Sequence, residues 1–166
     1  LVTSLNIPMV IDADGLNCLA RNPGCLASAK GDLILTPHPG EMARLTGKTT
    51  AQVQEDRVCA AGEFAEQHGL ILVLKGHQTL VSLPDGRTRI CPTGNPGMAS
   101  GGMGDVLTGM IAGLLAQGFT PEDAAVAGVY IHGLCGDVLA EKIGGFGYSA
   151  ADLCAAIPGA IHQHLI

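Results

Sequence analysis

Three short runs in this chain consist almost wholly of apolar residues: Met9-Val10-Ile11 within Pro8 to Asp12, Leu33-Ile34-Leu35, and Leu70 to Leu74. None alternates polar with apolar, and none is long enough for a stable helix. That pattern marks a strand covered on both faces. Helical signals fill the intervals between them. Strands buried on both faces and separated by helices demand a parallel sheet with helices packed on its two sides, because a parallel crossover needs a helix to carry the chain back. The expected class is therefore α/β, a mostly parallel sheet in a three-layer α/β/α sandwich.

Local punctuation sharpens the outline. A short helix spans Leu16 to Arg21 and stops at Asn22-Pro23-Gly24. Another covers Met42 to Leu45, with Gly47 as its C-terminal cap. Thr50 is placed to cap a helix running to His68-Gly69. Thr79 to Leu83 and Thr88 to Cys91 flank Pro84-Asp85-Gly86-Arg87, the signature of a hairpin. Asp105 to Gln117 is apolar and helical up to Gly118. Thr120-Pro121-Glu122-Asp123 opens a helix reaching Ile143, with a cap, a proline at the first position and acids on the positive end. Ser149, with Asp152 after it, caps the last one.

The length, 166 residues, fits one domain over 1–166. Apolar residues at 47% and charged residues at 14% suffice for a core and exclude a disordered chain. A net charge of −6 with no basic stripe argues against nucleic acid as a partner. Val106 to Ala116 is too short to cross a bilayer, so no membrane partner is expected. The six cysteines form no C-x-x-C pair and are expected to be reduced, mostly buried thiols of a cytoplasmic protein.

In a doubly wound sheet, ligands sit beyond the carboxyl ends of the strands. Asp12, His38 and Lys75 fall at such ends and would line one crevice. The sharpest single feature is Asn95-Pro96-Gly97-Met98-Ala99-Ser100-Gly101-Gly102-Met103-Gly104-Asp105, a glycine-rich loop entering an apolar helix. The N–H groups of Gly102, Met103 and Gly104 can form an anion hole reinforced by the helix dipole. A carboxylate beside such a hole repels the phosphate it faces. Asp105 there suits a base that takes a proton from a hydroxyl attacking phosphorus, although a plain capping aspartate fits the local sequence as well. Gly47-Lys48-Thr49 has the ending of a Walker A loop, but Met42 stands where the first glycine is required. The loop is not a Rossmann fingerprint either, since Leu107 replaces the third glycine.

Other residues admit two readings each. His38, framed by Pro37 and Pro39, is either a directed ligand or a loop histidine bonded to backbone. Lys75 is either a nucleotide contact or a snorkelling side chain. Glu41 complements a helix dipole. Asp12 and Asp14 could hold a metal-bound water, but helix capping is the reading preferred here. His162 and His164 lie in a helical context that does not space them as metal ligands, and no protein metal site is expected.

Three segments, in order, resemble the NAD(P)H-hydrate dehydratase family of the ribokinase-like superfamily: Thr36-Pro37-His38-Pro39-Gly40-Glu41-Met42-Ala43-Arg44-Leu45, Val73-Leu74-Lys75-Gly76-His77-Gln78-Thr79, and Ala99 to Gly109, with Asp12-Ala13-Asp14-Gly15-Leu16-Asn17 in support. The likeness covers nearly the whole chain, and the T-P-H-P-G-E segment is its most specific part. The resemblance implies a ribokinase-like fold and repair of NADHX and NADPHX, dehydrated to NADH and NADPH with ADP or ATP and Mg²⁺. It implies that His38 and Asp105 contact the hydrated nucleotide, with Asp105 as the catalytic base. It also implies that Lys75, Gly76, His77, Gln78, Thr79 and Gly104 bind the adenine nucleotide. A vitamin-precursor kinase of the same superfamily would share the loop and Asp105 without needing T-P-H-P-G-E, and a non-catalytic nucleotide-binding fragment is the third reading. Family domains carry further sequence before the first strand, so an N-terminally incomplete domain is expected, with a sheet edge that favours a homo-oligomer.

Overall fold

The structure is a computed structural model and describes residues 1–164. Among the described residues, five strands form one sheet in the order β1-β2-β3-β4-β5. They are β1 (Met9–Ile11), β2 (Leu33–Leu35), β3 (Ile71–Leu74), β4 (Leu80–Ser82) and β5 (Thr88–Ile90). The first three run parallel, with Val10 opposite Ile34 and Leu35 opposite Leu72. The β4–β5 hairpin then turns the chain antiparallel, pairing Val73 with Val81 and Val81 with Arg89.

Alternation along each strand divides the core into two layers. Leu33, Leu35, Leu72, Leu74 and Leu80 face α1 (Asp14–Arg21), α2 (Pro39–Thr46), α3 (Thr50–Glu55) and α4 (Arg57–His68), meeting Leu16, Met42 and Phe64. Ile34, Ile71, Val73, Val81 and Leu83 face α5 (Met103–Ala116) and α6 (Pro121–Ile143), meeting Leu107, Ile111 and Val129. Leu35, Leu72 and Leu74 are wholly buried; each such side chain stabilises by about 2 kcal/mol. The helix α7 (Ala150–His164) packs outside α5 and α6 through Leu153 and Ala160. The result is the expected sandwich: helices, sheet, helices.

Several boundaries differ from the sequence expectation: α1 starts at Asp14 and α2 spans Pro39–Thr46, each beginning earlier than expected. The helix expected over Thr50 to His68 is broken at Asp56, which has φ −143° and caps α4 by accepting from the Cys59 N–H. The break aims Arg57 at the end of β3 and the turn after it: its guanidinium donates to Leu74 O at 3.1 Å and to His77 O at 2.5 Å. Thr49, not Thr50, caps α3, in a reciprocal capping box with Gln52. By length and composition α6 could cross a bilayer, but it is mostly buried here, between α5, α7 and the sheet. The cysteines also depart from expectation. Only Cys91 and Cys135 are buried and Cys25 is partly so, while Cys18, Cys59 and Cys154 are exposed on helices. Burial pushes the Cys135 thiol up to about 11.

Candidate nucleotide site

The carboxyl ends of β1 and β3 bring Asp12 and Lys75 together. Lys75 Nζ donates to Asp12 Oδ1 at 2.8 Å and lies 3.7 Å from Glu41 Oε2. Asp12 Oδ1 also accepts from the Ala13 N–H, and Oδ2 accepts from Thr108 Oγ1 at 2.9 Å, one turn into α5. Burial by itself would raise the Asp12 pKa; the Lys75 ammonium, with the Ala13 and Thr108 hydrogen bonds, outweighs it and holds the carboxyl below its usual range. Asp12 is therefore not a helix cap: α1 has Ala13 at its N-cap and no side-chain capping bond. Asp14 lies in the first turn of α1 and accepts from Asn17 Nδ2. Lys75 is an ion-paired side chain with 19% exposure, not one reaching for bulk water.

His38 occupies the N-cap of α2. Its Nδ1 accepts from the Gly40 and Glu41 N–H groups at 3.0 and 3.3 Å, while Glu41 Oε2 accepts from the His38 N–H at 2.8 Å. Nδ1 is thereby unprotonated, and Nε2 carries the hydrogen. The local sequence achieves this because Pro39 supplies the first helical position and Glu41 the third, completing a capping box with histidine in the usual serine place.

The glycine loop runs into α5 as expected, with the helix beginning at Met103 rather than Asp105. Gly102 is the N-cap at φ 86°, a conformation that glycine adopts without strain. Val106 N–H makes the first helical bond, to Gly102 O. Among the described residues, the N–H groups of Gly101 to Asp105 have no acceptor, so the positive end of α5 is open to an anion. A Cβ on Gly104 would lie 3.3 Å from Lys75 Nζ and 3.7 Å from Asp12 Oδ2. The absence of a side chain lets the ammonium stand beside the helix end. Asp105 is exposed, with no hydrogen-bond partner among the described residues.

These parts surround one cavity of about 770 Å³, lined by His38, all of Lys75 to Thr79, Gly101, Met103 and Gly104. Gly102 and Asp105 are not in that lining. Gln78 has φ +52° and Ala13, at the end of β1, has φ +48°; both are costly for residues with a side chain. A second hollow of about 480 Å³ lies between α2 and α4, around Leu45, Glu63 and Phe64, away from these groups.

Cys91, Thr93, Val129, His132 and Gly133 also line the larger cavity, and sequence reasoning did not find them. His132 lies on α6, bonds Met103 O through Nε2 at 2.9 Å, and is kept neutral by burial, with the Lys75 charge adding to that effect. The only signal in the sequence is a histidine inside the mostly apolar stretch from Ala124 to Gly136 of that helix. Among the described residues no three His, Cys, Asp or Glu side chains converge as a metal cage. His162 is exposed, and the side chain of His164 lies outside the described residues.

A family profile described as NAD(P)H-hydrate dehydratase matches residues 1–159. The bifunctional NAD(P)H-hydrate repair enzyme of Moorella thermoacetica is 49% identical over 158 residues, covering 95% of this chain and 30% of that protein. The crystal structure of the ADP/ATP-dependent NAD(P)H-hydrate dehydratase of Bacillus subtilis, co-crystallised with ATP/Mg²⁺, superposes with a TM-score of 0.85 at 36% identity, covering 98% of this chain and 57% of that one. A ribokinase-like superfamily protein from Enterococcus faecalis gives a TM-score of 0.75 at 31% identity over 92% of this chain and 52% of its own. The chain thus spans between about a third and three-fifths of these relatives.

Proposed function

Because this chain belongs to the NAD(P)H-hydrate dehydratase family, we propose that it forms the nucleotide-binding and phosphoryl-transfer part of an enzyme that dehydrates NADHX and NADPHX using ADP or ATP. The observation that carries this reading is the convergence of Lys75 to Thr79, His38 and the open N-terminus of α5 on one cavity. The adenine nucleotide lies against Lys75 to Thr79. Its terminal phosphate meets the N–H groups of the loop and the Lys75 ammonium, which Gly104 allows to approach.

The chemistry is phosphoryl transfer followed by elimination. The hydroxyl oxygen of the hydrated ring attacks the terminal phosphorus, its proton passes to Asp105, and the nucleotide departs one phosphate shorter. The ring nitrogen then pushes out the new phosphate ester as inorganic phosphate. Loss of a proton from the adjacent ring carbon restores the double bond. Asp105 suits the base because its carboxylate is exposed and uncommitted among the described residues, whereas Asp12 and Glu41 are engaged by Lys75. His38 presents its ring at the cavity wall, where it contacts the hydrated nicotinamide nucleotide.

The donor set fits a magnesium ion carried on the nucleotide phosphates rather than held by a protein cage, since Asp12 and Glu41 are committed. That ion supplies charge neutralisation on the phosphates. A substrate drawn from the soluble nicotinamide pool suits a cytoplasmic enzyme.

The test is to combine the protein with purified NADHX, Mg²⁺ and either ADP or ATP. Return of NADH absorbance with stoichiometric phosphate release is expected. Phosphorylation of a vitamin precursor with NADHX untouched would replace this reading with a small-molecule kinase. Asp105→Asn should abolish turnover, by about 10²-fold or more, while nucleotide affinity stays; surviving turnover removes Asp105 from the role of base.

A further inference from the structure

The glycine loop is held from behind by α6. Asp137, outside the cavity lining, accepts from the Gly94 N–H through Oδ2 at 2.9 Å and from Asn95 Nδ2 through Oδ1 at 3.0 Å. Asn95 uses its other face as acceptor: Tyr148 Oη donates to Oδ1 at 2.5 Å and the Gly97 N–H at 3.0 Å. Both donors of the loop's first turn and both oxygens of one carboxylate are thereby matched. The contact is close because α6 presents glycines there. A Cβ on Gly133 would lie 2.3 Å from Thr93 Oγ1, and one on Gly136 would lie 2.3 Å from Met98 Sδ. About one turn before Asp137 on α6, Gly133 packs against Thr93 at the start of the loop, while His132 reaches its far end at Met103 O.

We propose that Asp137 is a positioning residue for nucleotide binding: by fixing Gly94 and Asn95 it sets the angle at which Gly101 to Gly104 present their N–H groups to phosphate. The inference rests on the proposed nucleotide site but not on the identity of the second substrate. Asp137→Asn keeps size and shape but has one acceptor oxygen for two donors, so its NH2 must face either the Gly94 N–H or the Asn95 amide, donor against donor. The swap Asn95→Asp with Asp137→Asn reverses the pair. The new carboxylate at position 95 can accept from the amide at 137 and still accept from Tyr148 and Gly97.

The experiment measures ATP/Mg²⁺ affinity by calorimetry together with amide hydrogen exchange across residues 93–105, in the wild type, Asp137→Asn and the double variant. Loss of a charge-assisted bond predicts about tenfold weaker ATP binding in Asp137→Asn. Exchange should be faster within 93–105 and unchanged in β3 and α4. The double variant should recover most of both, which a general loss of packing at Asp137 would not allow. Wild-type affinity and exchange in Asp137→Asn, or no recovery in a folded double variant, overturns the proposal. If the wild type binds ATP but leaves NADHX unchanged, the dehydratase reading fails while this one is still decided by the affinities. If the wild type binds no nucleotide, the site assignment and this proposal fall together.

Discussion

Replacing Gly133 with alanine tests the contact between α6 and Thr93, in the segment leading into the loop. The added Cβ would meet Thr93 Oγ1 at 2.3 Å, Thr93 C at 2.7 Å and Thr93 O at 2.8 Å. The hydroxyl can rotate away, but only by giving up its 2.9 Å bond to Tyr130 O, at a cost of about 1 kcal/mol. The two backbone atoms cannot rotate, so helix and strand must separate by more than half an ångström. Overpacking of that kind costs about 1–3 kcal/mol. Against it stands the helical preference for alanine over glycine, about 1 kcal/mol. The net expectation is a loss of about 1–3 kcal/mol, or a fall in Tm of about 2–12 °C. Urea and thermal denaturation followed by far-ultraviolet circular dichroism would measure it. The matched control is Gly113→Ala on α5, where a Cβ meets nothing within 4 Å; it should gain about 0.5–1 kcal/mol. A Gly133→Ala protein as stable as the wild type, or the same shift in both variants, refutes the close-contact argument.

Three further outcomes follow from the charged cluster and the cap. Asp12 titrates below its ordinary 3.8, so the unfolded chain takes up its proton first. Its contribution to stability is complete above that value and is lost as the pH falls through and below it. Urea titrations at neutral pH and near pH 3.5 should show a smaller acid loss in Asp12→Asn than in the wild type, and equal losses would remove Asp12 from the linkage. Lys75→Met leaves two carboxylates facing each other without a cation; a loss of about 2–3 kcal/mol is expected, somewhat less than for a fully dry pair, together with loss of ATP binding in calorimetry. His38→Ala removes the α2 cap and should cost about 1 kcal/mol by urea denaturation; no loss would mean that the capping bonds contribute nothing in solution.

Much of this molecule is legible in its residues for identifiable reasons. Leu33-Ile34-Leu35 and Leu70 to Leu74 are apolar throughout because helices cover both faces, and no surface helix would read that way. Thr120-Pro121, Gly47 and Ser149 with Asp152 announce helix ends through backbone chemistry that needs no tertiary context. Lys75 to Thr79 and His38 are readable because they follow strands. The break at Asp56 is not, since the Arg57 bonds to the Leu74 and His77 carbonyls that accompany it join residues far apart in the chain. The pairing of Asp12 with Lys75 is hidden for the same reason: an aspartate after a strand and before a helix looks like a cap until its partner arrives. His132 and Asp137 are the least legible, because a helix of alanines, glycines and aliphatics reads as core, and nothing local reveals that one of its faces grips a loop.

That grip also bears on where the ordering of the binding loop is accounted for. A loop rich in glycine has many conformations open to it in the unfolded chain, and fixing each residue costs about 1–2 kcal/mol. Here Gly94 and Asn95 are already tied by Asp137 and Tyr148, Gly97 is tied to Asn95, and Gly133 and Gly136 let α6 press against Thr93 and Met98. The entropy is therefore surrendered when the chain folds, not when a phosphate arrives. On the function proposed above, the segment that leads to the anion-facing N–H groups is thus ordered before a phosphate arrives, and less ordering is left to oppose binding.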